Sequence, residues 1–195
     1  MIDDIIELDN FLPVDYVDRL EKRLMHPSFP WALTLDSVYG ADGKIENVGA
    51  VGFYHNIVFN NNQRSEDLSK VEPVLMGLEK ALGGKLVIDV VERIRVGLFT
   101  CNADPSPHAA HVDAYFPHWT AVYYVNDCDG DLTIYEETWP TLLPDQAKFS
   151  QLTVKKKVKP AKGKIVLFPG QHYHASSYPT VSPLRIAITF NFTSK

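Results

Sequence analysis

The sequence predicts a mainly β protein with some helix (α+β), in which two N-terminal helices support a jelly roll, the double-stranded β-helix. Helical spacing of apolar residues occurs twice, within residues 13–25 and 65–82. From Lys85 onward, short apolar segments follow each other between turn residues, without a helical pattern between them. Such spacing is typical of a sandwich, jelly roll or barrel rather than of a parallel α/β sheet.

Length and composition are those of an ordinary globular protein. The chain has 195 residues, of which 45% are apolar and 22% charged, so it can bury a sizeable core in one domain. A formal charge of −5 argues against bulk electrostatic binding of nucleic acid or of an anionic membrane. The sequence shows neither a signal peptide nor an apolar run of the roughly 20 residues that span a bilayer, so a cytoplasmic location is expected.

Residues 1–84 are expected to form helical support with flanking strands. Pro13 suits the start of the first helix, because the first turn does not need its missing N–H group. The second helix is predicted to begin at Ser65 as its N-cap and to end at Gly83, with Pro73 kinking or splitting it. The flanking strands are predicted at residues 4–8, 32–35 and 51–59.

Residues 85–195 are expected to form the jelly-roll core, so that the whole chain, 1–195, makes a single domain. Residues 137–151 break the rhythm of the strands, and a long loop in a compact domain is often functional. The strands of the core are predicted at residues 86–89, 91–100, 109–116, 119–126, 131–136, 152–158, 163–168 and 183–193.

A His-x-Asp pair, His111 and Asp113, lies within one of these predicted strands. Because successive side chains of a strand point to opposite faces, the two residues would share one face. An imidazole nitrogen and a carboxylate would then point into the same space, which is two thirds of the His-His-carboxylate triad of non-haem Fe(II) oxygenases. The third ligand would be a distant histidine. His172 and His174 both fit, and strand periodicity does not choose between them.

The last predicted strand contains Arg185 and alternates between two faces. One face carries apolar side chains that suit packing, and the other carries a guanidinium, a hydroxyl and small groups that suit a cavity wall. A buried arginine needs an anion, and its planar fork suits a carboxylate held by two hydrogen bonds. The packing face comprises Ile186, Ile188, Phe190 and Phe192, and the cavity face comprises Arg185, Ala187, Thr189 and Asn191.

The His-x-Asp pair, a distant histidine and an arginine after ten intervening residues together resemble the motif of Fe(II)- and 2-oxoglutarate-dependent dioxygenases. The closer resemblance is to their prolyl 4-hydroxylase-like branch, and it covers roughly residues 92–192. Within it, Thr120–Asn126 resembles that branch's strand after the His-x-Asp motif. Val158–Phe168 resembles its Pro-x-x-Gly-containing strand, which leads to the distal histidine.

The resemblance implies a cupin-like jelly roll that binds Fe(II) through His111, Asp113 and His174. The offset from Phe168 to the distal histidine favours His174 over His172. Dioxygen is the implied oxidant, 2-oxoglutarate the implied co-substrate and ascorbate a candidate reductant. The implied reaction is hydroxylation of a substrate C–H bond, with release of succinate and carbon dioxide.

Co-substrate binding is implied at the cavity face of the last strand. Arg185 would bind the C5 carboxylate of 2-oxoglutarate, Tyr124 would donate its hydroxyl to the same group, and Thr189 would support that end of the pocket. The branch often has a tyrosine on the strand before the His-x-Asp motif. The nearest position here is Leu98, so another group would have to take its place. His108 is expected to be a loop residue.

The substrate is expected to be a peptide or a small molecule. Aromatic residues directly after Asp113 suit a loop that closes over a peptide proline, so prolyl 4-hydroxylation is the first expectation. A free amino acid or small metabolite suits the same entrance. A cupin-like module that binds a metal or a small acid without turnover is the alternative from another class. The candidate substrate contacts are Tyr115, His118, Trp119, His172 and Asn191.

Overall fold

Two antiparallel sheets and two helices form the part of the chain that the computed structural model describes, which is residues 5–35, 50–60, 63–143, 147 and 151–195. The prediction of a mainly β protein with supporting helices is confirmed. Neither helix in these ranges has the length and apolar character needed to cross a membrane. In chain order, the elements are β1 (Ile6–Leu8), α1 (Val14–Leu24), β2 (Ala32–Thr34), β3 (Gly52–Phe59), β4 (Gln63–Arg64), α2 (Leu68–Ala81), β5 (Ile88–Thr100), β6 (Trp119–Tyr124), β7 (Leu132–Thr138), β8 (Val154–Val158), β9 (Ile165–Pro169), β10 (His172–Ser176) and β11 (Leu184–Ser194).

The strand order places β11, the last strand in sequence, in the middle of the larger sheet. That sheet has eight strands in the order β1-β9-β6-β11-β5-β3-β2, and β4 pairs with β3. The smaller sheet has three strands in the order β10-β7-β8. Among the described residues, the two sheets do not close into a barrel. The N-terminal strands β1 to β4 belong to the same sheet as the later ones, so the helices and the jelly roll share one core.

The helices α1 and α2 cover one face of the larger sheet. Their buried side chains recur at helical spacing, and they join the apolar residues of β11 in the main core. The buried residues are Val17, Leu20 and Leu24 of α1, Val71, Val74, Leu75 and Leu78 of α2, and Ile186, Ile188, Phe190 and Phe192 of β11.

A second core lies between the two sheets. Because neighbouring residues of a strand face opposite sides, Tyr123 of β6 packs toward the helices while Tyr124 packs toward the smaller sheet. The cavity face of β11 turns toward this second core. Its buried members are Val122, Tyr124, Leu132, Ile134, Val158, Val166, Phe168 and Ala187.

The predicted strand at residues 109–116 is wrong. Among the described residues, this stretch forms no ladder with the smaller sheet; isolated β-bridges pair Pro107 with Ser177 and His111 with His174. The segment therefore runs next to β10 and is positioned by pairing at single residues, without a continuous ladder of hydrogen bonds. By contrast, the two strands predicted at 86–89 and 91–100 form one strand, β5.

The predicted features of α2 are only partly correct. The helix begins at Leu68, and Ser65 is not its N-cap; the Ser65 hydroxyl accepts a hydrogen bond from the Asp67 backbone N–H at 3.2 Å. Pro73 does not split the helix, which continues through it to Ala81. The predicted functional loop at 137–151 lies partly outside the described residues.

Candidate metal centre

His111, Asp113 and His174 come together at the edge of the smaller sheet. Two reciprocal backbone hydrogen bonds, of 3.0 and 2.9 Å, join His111 to His174 and place their rings 4.6 Å apart. The Asp113 carboxylate lies 3.8 Å from Nε2 of His111 and 3.7 Å from Nε2 of His174. One donor atom from each of the three residues lies within 4.8 Å of the others. This arrangement can hold a single metal ion.

The backbone orients both imidazoles for metal binding. Nδ1 of His111 lies 3.1 Å from the Ala109 carbonyl, and Nδ1 of His174 lies 3.1 Å from the His172 carbonyl. Because a carbonyl only accepts, each Nδ1 carries the hydrogen and donates it. The Nε2 atoms are then left with free electron pairs on the side of Asp113. A metal-bound histidine typically has this pattern.

Electrostatics keep His111 and Asp113 in the protonation states that a cation requires. Burial, followed by the nearby His174, lowers the pKa of His111 to about 4. Burial raises the pKa of Asp113, but the Arg93 guanidinium and His174 outweigh it and hold that pKa well below its usual range. At neutral pH, the site offers a neutral imidazole at His111 and an ionised carboxylate, as metal binding requires.

The Asp113 carboxylate is held by two side chains of the larger sheet. Arg93 of β5 contacts Oδ1 of Asp113, and Asn191 of β11 donates a hydrogen bond to Oδ2 at 2.9 Å. Arg93 also donates to the Asn191 side-chain oxygen at 2.9 Å. Arg93 also lines the cavity next to this cluster. Asn191, a predicted substrate contact, thus supports the carboxylate.

His172 lies outside the cluster. Its Nδ1 lies 2.7 Å from the carbonyl oxygen of Tyr135, and a register irregularity separates it from His174 along β10. Since strand periodicity left both histidines open, this irregularity and the bridge to His111 are what distinguish them.

A cavity extends from the metal cluster to Arg185 on β11. Arg185 is only 5% exposed, and its Nε donates to the Gly130 carbonyl at 2.9 Å. A Cβ at Gly130 would come within 2.9 Å of Arg185 Cδ and 2.6 Å of the Ser177 carbonyl, so this close approach requires glycine. Thr189 also lines the cavity. The other lining residues are Tyr54, Arg93, Arg95, Gly97, Phe99, His108, His111, Asp113, Val122, Leu132, His174, Ser176 and Ala187.

Polar atoms near Arg185 lack partners among the described residues. The hydroxyl of Tyr124, whose ring centroid lies 5.6 Å from the Arg185 guanidinium, is buried without a hydrogen bond. Nε2 of His108 is likewise buried and unpaired. Since buried polar groups are nearly always hydrogen-bonded, these atoms and the guanidinium fit a bound carboxylate.

Solved structures of low sequence identity share this architecture. The epimerase SnoN, solved with Fe3+, alpha ketoglutarate and nogalamycin RO, matches with a TM-score of 0.62 at 16% identity, over 98% of this chain and 79% of SnoN. A Pseudomonas putida prolyl-4-hydroxylase matches with a TM-score of 0.58 at 15% identity, over 98% and 92% of the chains. A Trichoplax adhaerens prolyl hydroxylase, solved with a peptide fragment of the hypoxia inducible factor oxygen degradation domain, matches with a TM-score of 0.60 at 15% identity, over 97% and 83%.

The fold is that of the 2OG-Fe(II) oxygenases. No protein-family model and no curated protein sequence matches the chain. The similarity therefore rests on the arrangement of the strands.

A tyrosine is expected on the strand before the His-x-Asp pair, where this chain has Leu98. The cavity instead contains Tyr54, which lies on β3. Leu98 packs against the main core, so its side chain faces away from the cavity. Its neighbour Gly97 is on the cavity side, and a Cβ there would lie 2.8 Å from Cε1 of Tyr54. Tyr54, the residue of β3 that pairs with Gly97, thus occupies the space above the glycine. The guanidinium of Arg95 lies 3.5 Å from the centroid of the Tyr54 ring.

Among the candidate substrate contacts, Tyr115 is open to solvent. Its side chain is 56% exposed, and its ring centroid lies 5.9 Å from that of Trp139. His118 is buried, and a Cβ at Gly170 would come within 2.2 Å of its Nε2. Trp119 packs against the main core and donates to the Ser194 hydroxyl at 3.0 Å, away from the cavity. Tyr115 therefore presents an exposed aromatic ring that contacts the partly buried Trp139.

His108 is a further residue near the site that sequence reasoning missed. Its backbone N–H donates to the Ser176 carbonyl at 2.8 Å, and its ring lies 4.7 Å from Phe99 and 4.4 Å from Tyr178. The sequence indicates that His108 is near His111. It carries no signal for the pairing with Ser176, 68 positions away, which turns the ring toward Arg185.

Proposed function

We propose that this protein is an Fe(II)- and 2-oxoglutarate-dependent dioxygenase that hydroxylates a substrate C–H bond, with a peptidyl proline as the first substrate to test. The observation that carries the proposal is one cavity with a His-Asp-His cluster at one end and a buried arginine at the other. A metal site alone would suit many proteins. The added carboxylate-binding end suits a co-substrate that is both a metal chelator and an acid.

His111, Asp113 and His174 would hold iron(II), and this donor set leaves further coordination positions open. Iron bound there would activate dioxygen and couple decarboxylation of 2-oxoglutarate, which gives succinate and carbon dioxide, to oxidation of the substrate. The contribution of the protein is orientation. Arg93 and Asn191 fix the Asp113 carboxylate, and the backbone bridge fixes both imidazoles.

Arg185 would bind the C5 carboxylate of 2-oxoglutarate. The guanidinium is nearly fully buried and donates from Nε to the Gly130 carbonyl, so its terminal N–H groups can bind an anion. The unpaired hydroxyl of Tyr124 would donate to the same carboxylate, and burial raises the pKa of Tyr124, which keeps its proton in place. Thr189 would line the pocket between this end and the metal.

Two observations favour a polypeptide substrate. Tyr115, two residues after Asp113, is exposed and contacts the partly buried Trp139, and aromatic surfaces of this kind suit a proline ring. Prolyl hydroxylases are also among the proteins of similar fold. The competing candidate is a small-molecule substrate, which is favoured by the fold similarity to SnoN with its bound nogalamycin RO.

Succinate release tests the enzymatic proposal. The protein is loaded with iron(II) and 2-oxoglutarate without oxygen, oxygen is admitted, and succinate is measured. We expect release in the wild type, loss of release in His174→Ala, and retention in His172→Ala, which is the matched control because His172 lies outside the cluster. Absence of turnover from the iron-loaded wild type under every substrate condition would favour a non-catalytic cupin-like binding module instead.

A substrate panel separates the two substrate classes. Proline-containing peptides, free amino acids and small metabolites are each added to the same assay, and products are identified by a mass gain of one oxygen. Stimulation by peptides alone supports prolyl hydroxylation. Stimulation by free amino acids or metabolites alone would assign the small-molecule alternative.

A further inference from the structure

We propose that His108 anchors the co-substrate, by donating a hydrogen bond from Nε2 to the C5 carboxylate of 2-oxoglutarate beside Arg185. This inference rests on the proposed function and adds a residue that the motif does not contain. His108 and Arg185 line the same cavity, and no described residue pairs with Nε2 of His108. A buried nitrogen without a partner at a cavity wall points to a ligand as its partner.

The strand β5, which pairs with β11 at Arg185, offers no side-chain hydrogen-bond donor to a carboxylate there. Such a donor must therefore come from another segment. Phe99 of β5 is the residue paired with Arg185 across the larger sheet, and its ring offers no hydrogen-bond donor. Gly97, the next residue on that face of β5, has no side chain. His108 packs edge-to-face against Phe99 with ring centroids 4.7 Å apart and thereby brings a nitrogen to this position.

The contact between His108 and Ser176 is compatible with a hydrogen on Nε2 of His108. Nδ1 lies 3.3 Å from the Ser176 hydroxyl, which can donate to it. With Nδ1 as the acceptor, the neutral ring has its hydrogen on Nε2, the atom that is buried without a partner. The rings of Phe99 and Tyr178 hold the imidazole edge-on from two sides. In this tautomer the Nε2 donor is oriented before any ligand binds.

The charges at this end of the cavity also balance. The guanidinium of Arg185 supplies one positive charge, which matches the single negative charge of a C5 carboxylate. Burial, followed by the charge of Arg185, lowers the pKa of His108 to about 4, so His108 is a neutral donor at pH 7. One cation with two neutral donors, Tyr124 and His108, can satisfy a carboxylate without excess charge.

The test compares two ligands that differ only at the proposed contact. The iron(II)-loaded protein is titrated without oxygen with 2-oxoglutarate and with 2-oxobutyrate, which lacks the C5 carboxylate. We expect His108→Phe, which keeps a ring but removes the donor, to weaken 2-oxoglutarate binding about tenfold or more. The variant should bind 2-oxobutyrate as the wild type does. His108→Gln, which keeps an N–H donor, should recover most of the affinity.

The control is His26→Phe, because His26 is exposed beyond the end of α1. Equal weakening of both ligands in His108→Phe would indicate a structural role and overturn the assignment, as would unchanged binding of 2-oxoglutarate. A wild type that binds iron but neither ligand would overturn the proposed function itself. That result differs from the one that overturns only the assignment of His108. In the latter, the wild type and His108→Phe bind 2-oxoglutarate equally well.

Discussion

At the scale of single residues, two side chains hold the Asp113 carboxylate in different ways. Arg93 contributes charge, which keeps the carboxylate ionised despite burial. Asn191 contributes direction, because its amide nitrogen donates to Asp113 at 2.9 Å and lies 3.1 Å from the Thr120 hydroxyl. A neutral, fixed donor of this kind sets the orientation of the carboxylate and adds no cation that would repel the metal.

We predict that Asn191→Ala weakens metal binding by about tenfold to a hundredfold, since removing a hydrogen-bond partner of a metal ligand typically costs this much. Anaerobic titration with iron(II), or with cobalt(II) as an air-stable substitute, measures the change. Asn56→Ala is the matched control, because Asn56 is exposed on β3. Wild-type affinity in Asn191→Ala would show that Asp113 is oriented by Arg93 alone.

His108 also predicts a pH dependence of stability in the metal-free protein. Its pKa is 6.5 in an unfolded chain and about 4 in the folded protein. Between these values only the unfolded chain takes up the proton, so stability is full above about pH 6.5 and is lost as the pH falls toward 4. From pH 7 to pH 5, we expect this residue to lower the free energy of unfolding by about 2 kcal/mol.

Urea denaturation of the metal-free wild type and of His108→Phe, at pH 7 and at pH 5, isolates that contribution. Other buried histidines titrate in both proteins, so the difference between the two pH dependences belongs to residue 108. The variant should lose less stability on acidification. Identical losses in the two proteins would mean that His108 is accessible to protons in the folded state.

At the scale of elements, one face of β11 packs in the main core and the other face lines the cavity. The alternation read from the sequence is confirmed, because Ile188 and Phe190 lie in the main core while Arg185 and Thr189 line the cavity. The two faces of this strand should therefore respond differently to substitution.

We predict that Ile188→Ala lowers the free energy of unfolding by roughly 2–5 kcal/mol, because it leaves a cavity in a fully buried position. Thr189→Ala should cost about 1 kcal/mol or less, since its side chain borders an open cavity. Urea denaturation measures both. Binding of 2-oxoglutarate should show the reverse order, with the Thr189 variant weakened and the folded Ile188 variant close to wild type.

Elements with a regular period could be predicted from the sequence, and those defined by a distant partner could not. The period of two in β11 and the helical spacing in α1 are properties of the local chain. The segment around His111 is predicted as a strand because its composition is typical of strands. It lacks a ladder because a ladder needs a continuous neighbour, and β10 meets it only at isolated bridges.

At the scale of the whole molecule, a metal at the cluster would connect the two sheets. His174 belongs to the smaller sheet, while Asp113 is held by Arg93 and Asn191 of the larger one. We predict that cobalt(II) at about 100 times its Kd raises the Tm by roughly 5–10 °C. Asp113→Asn should abolish the rise. Thermal denaturation with and without a chelator measures it, and an equal rise in the variant would place the metal elsewhere.

The candidate site was predictable to the extent that residue type and spacing identify it. A His-x-Asp pair, a later histidine and an arginine are visible in the sequence. The contributions of Tyr54 and His108 were not, because each depends on a contact across strands. Tyr54 enters the cavity only because its partner Gly97 leaves room, and His108 only because it pairs with Ser176.

The central position of β11 has a consequence for how the protein is made. A ribosome synthesises β5 and β6 long before β11, yet β11 lies between them and pairs with both. Until it emerges, these two strands each keep an unpaired edge, which favours contact with other chains and slow, late formation of the sheet. Since Arg185 belongs to β11, a nascent chain that already has His111, Asp113 and His174 still lacks the co-substrate anchor. β11, which is synthesised after the other strands described here, therefore completes both the sheet and the site.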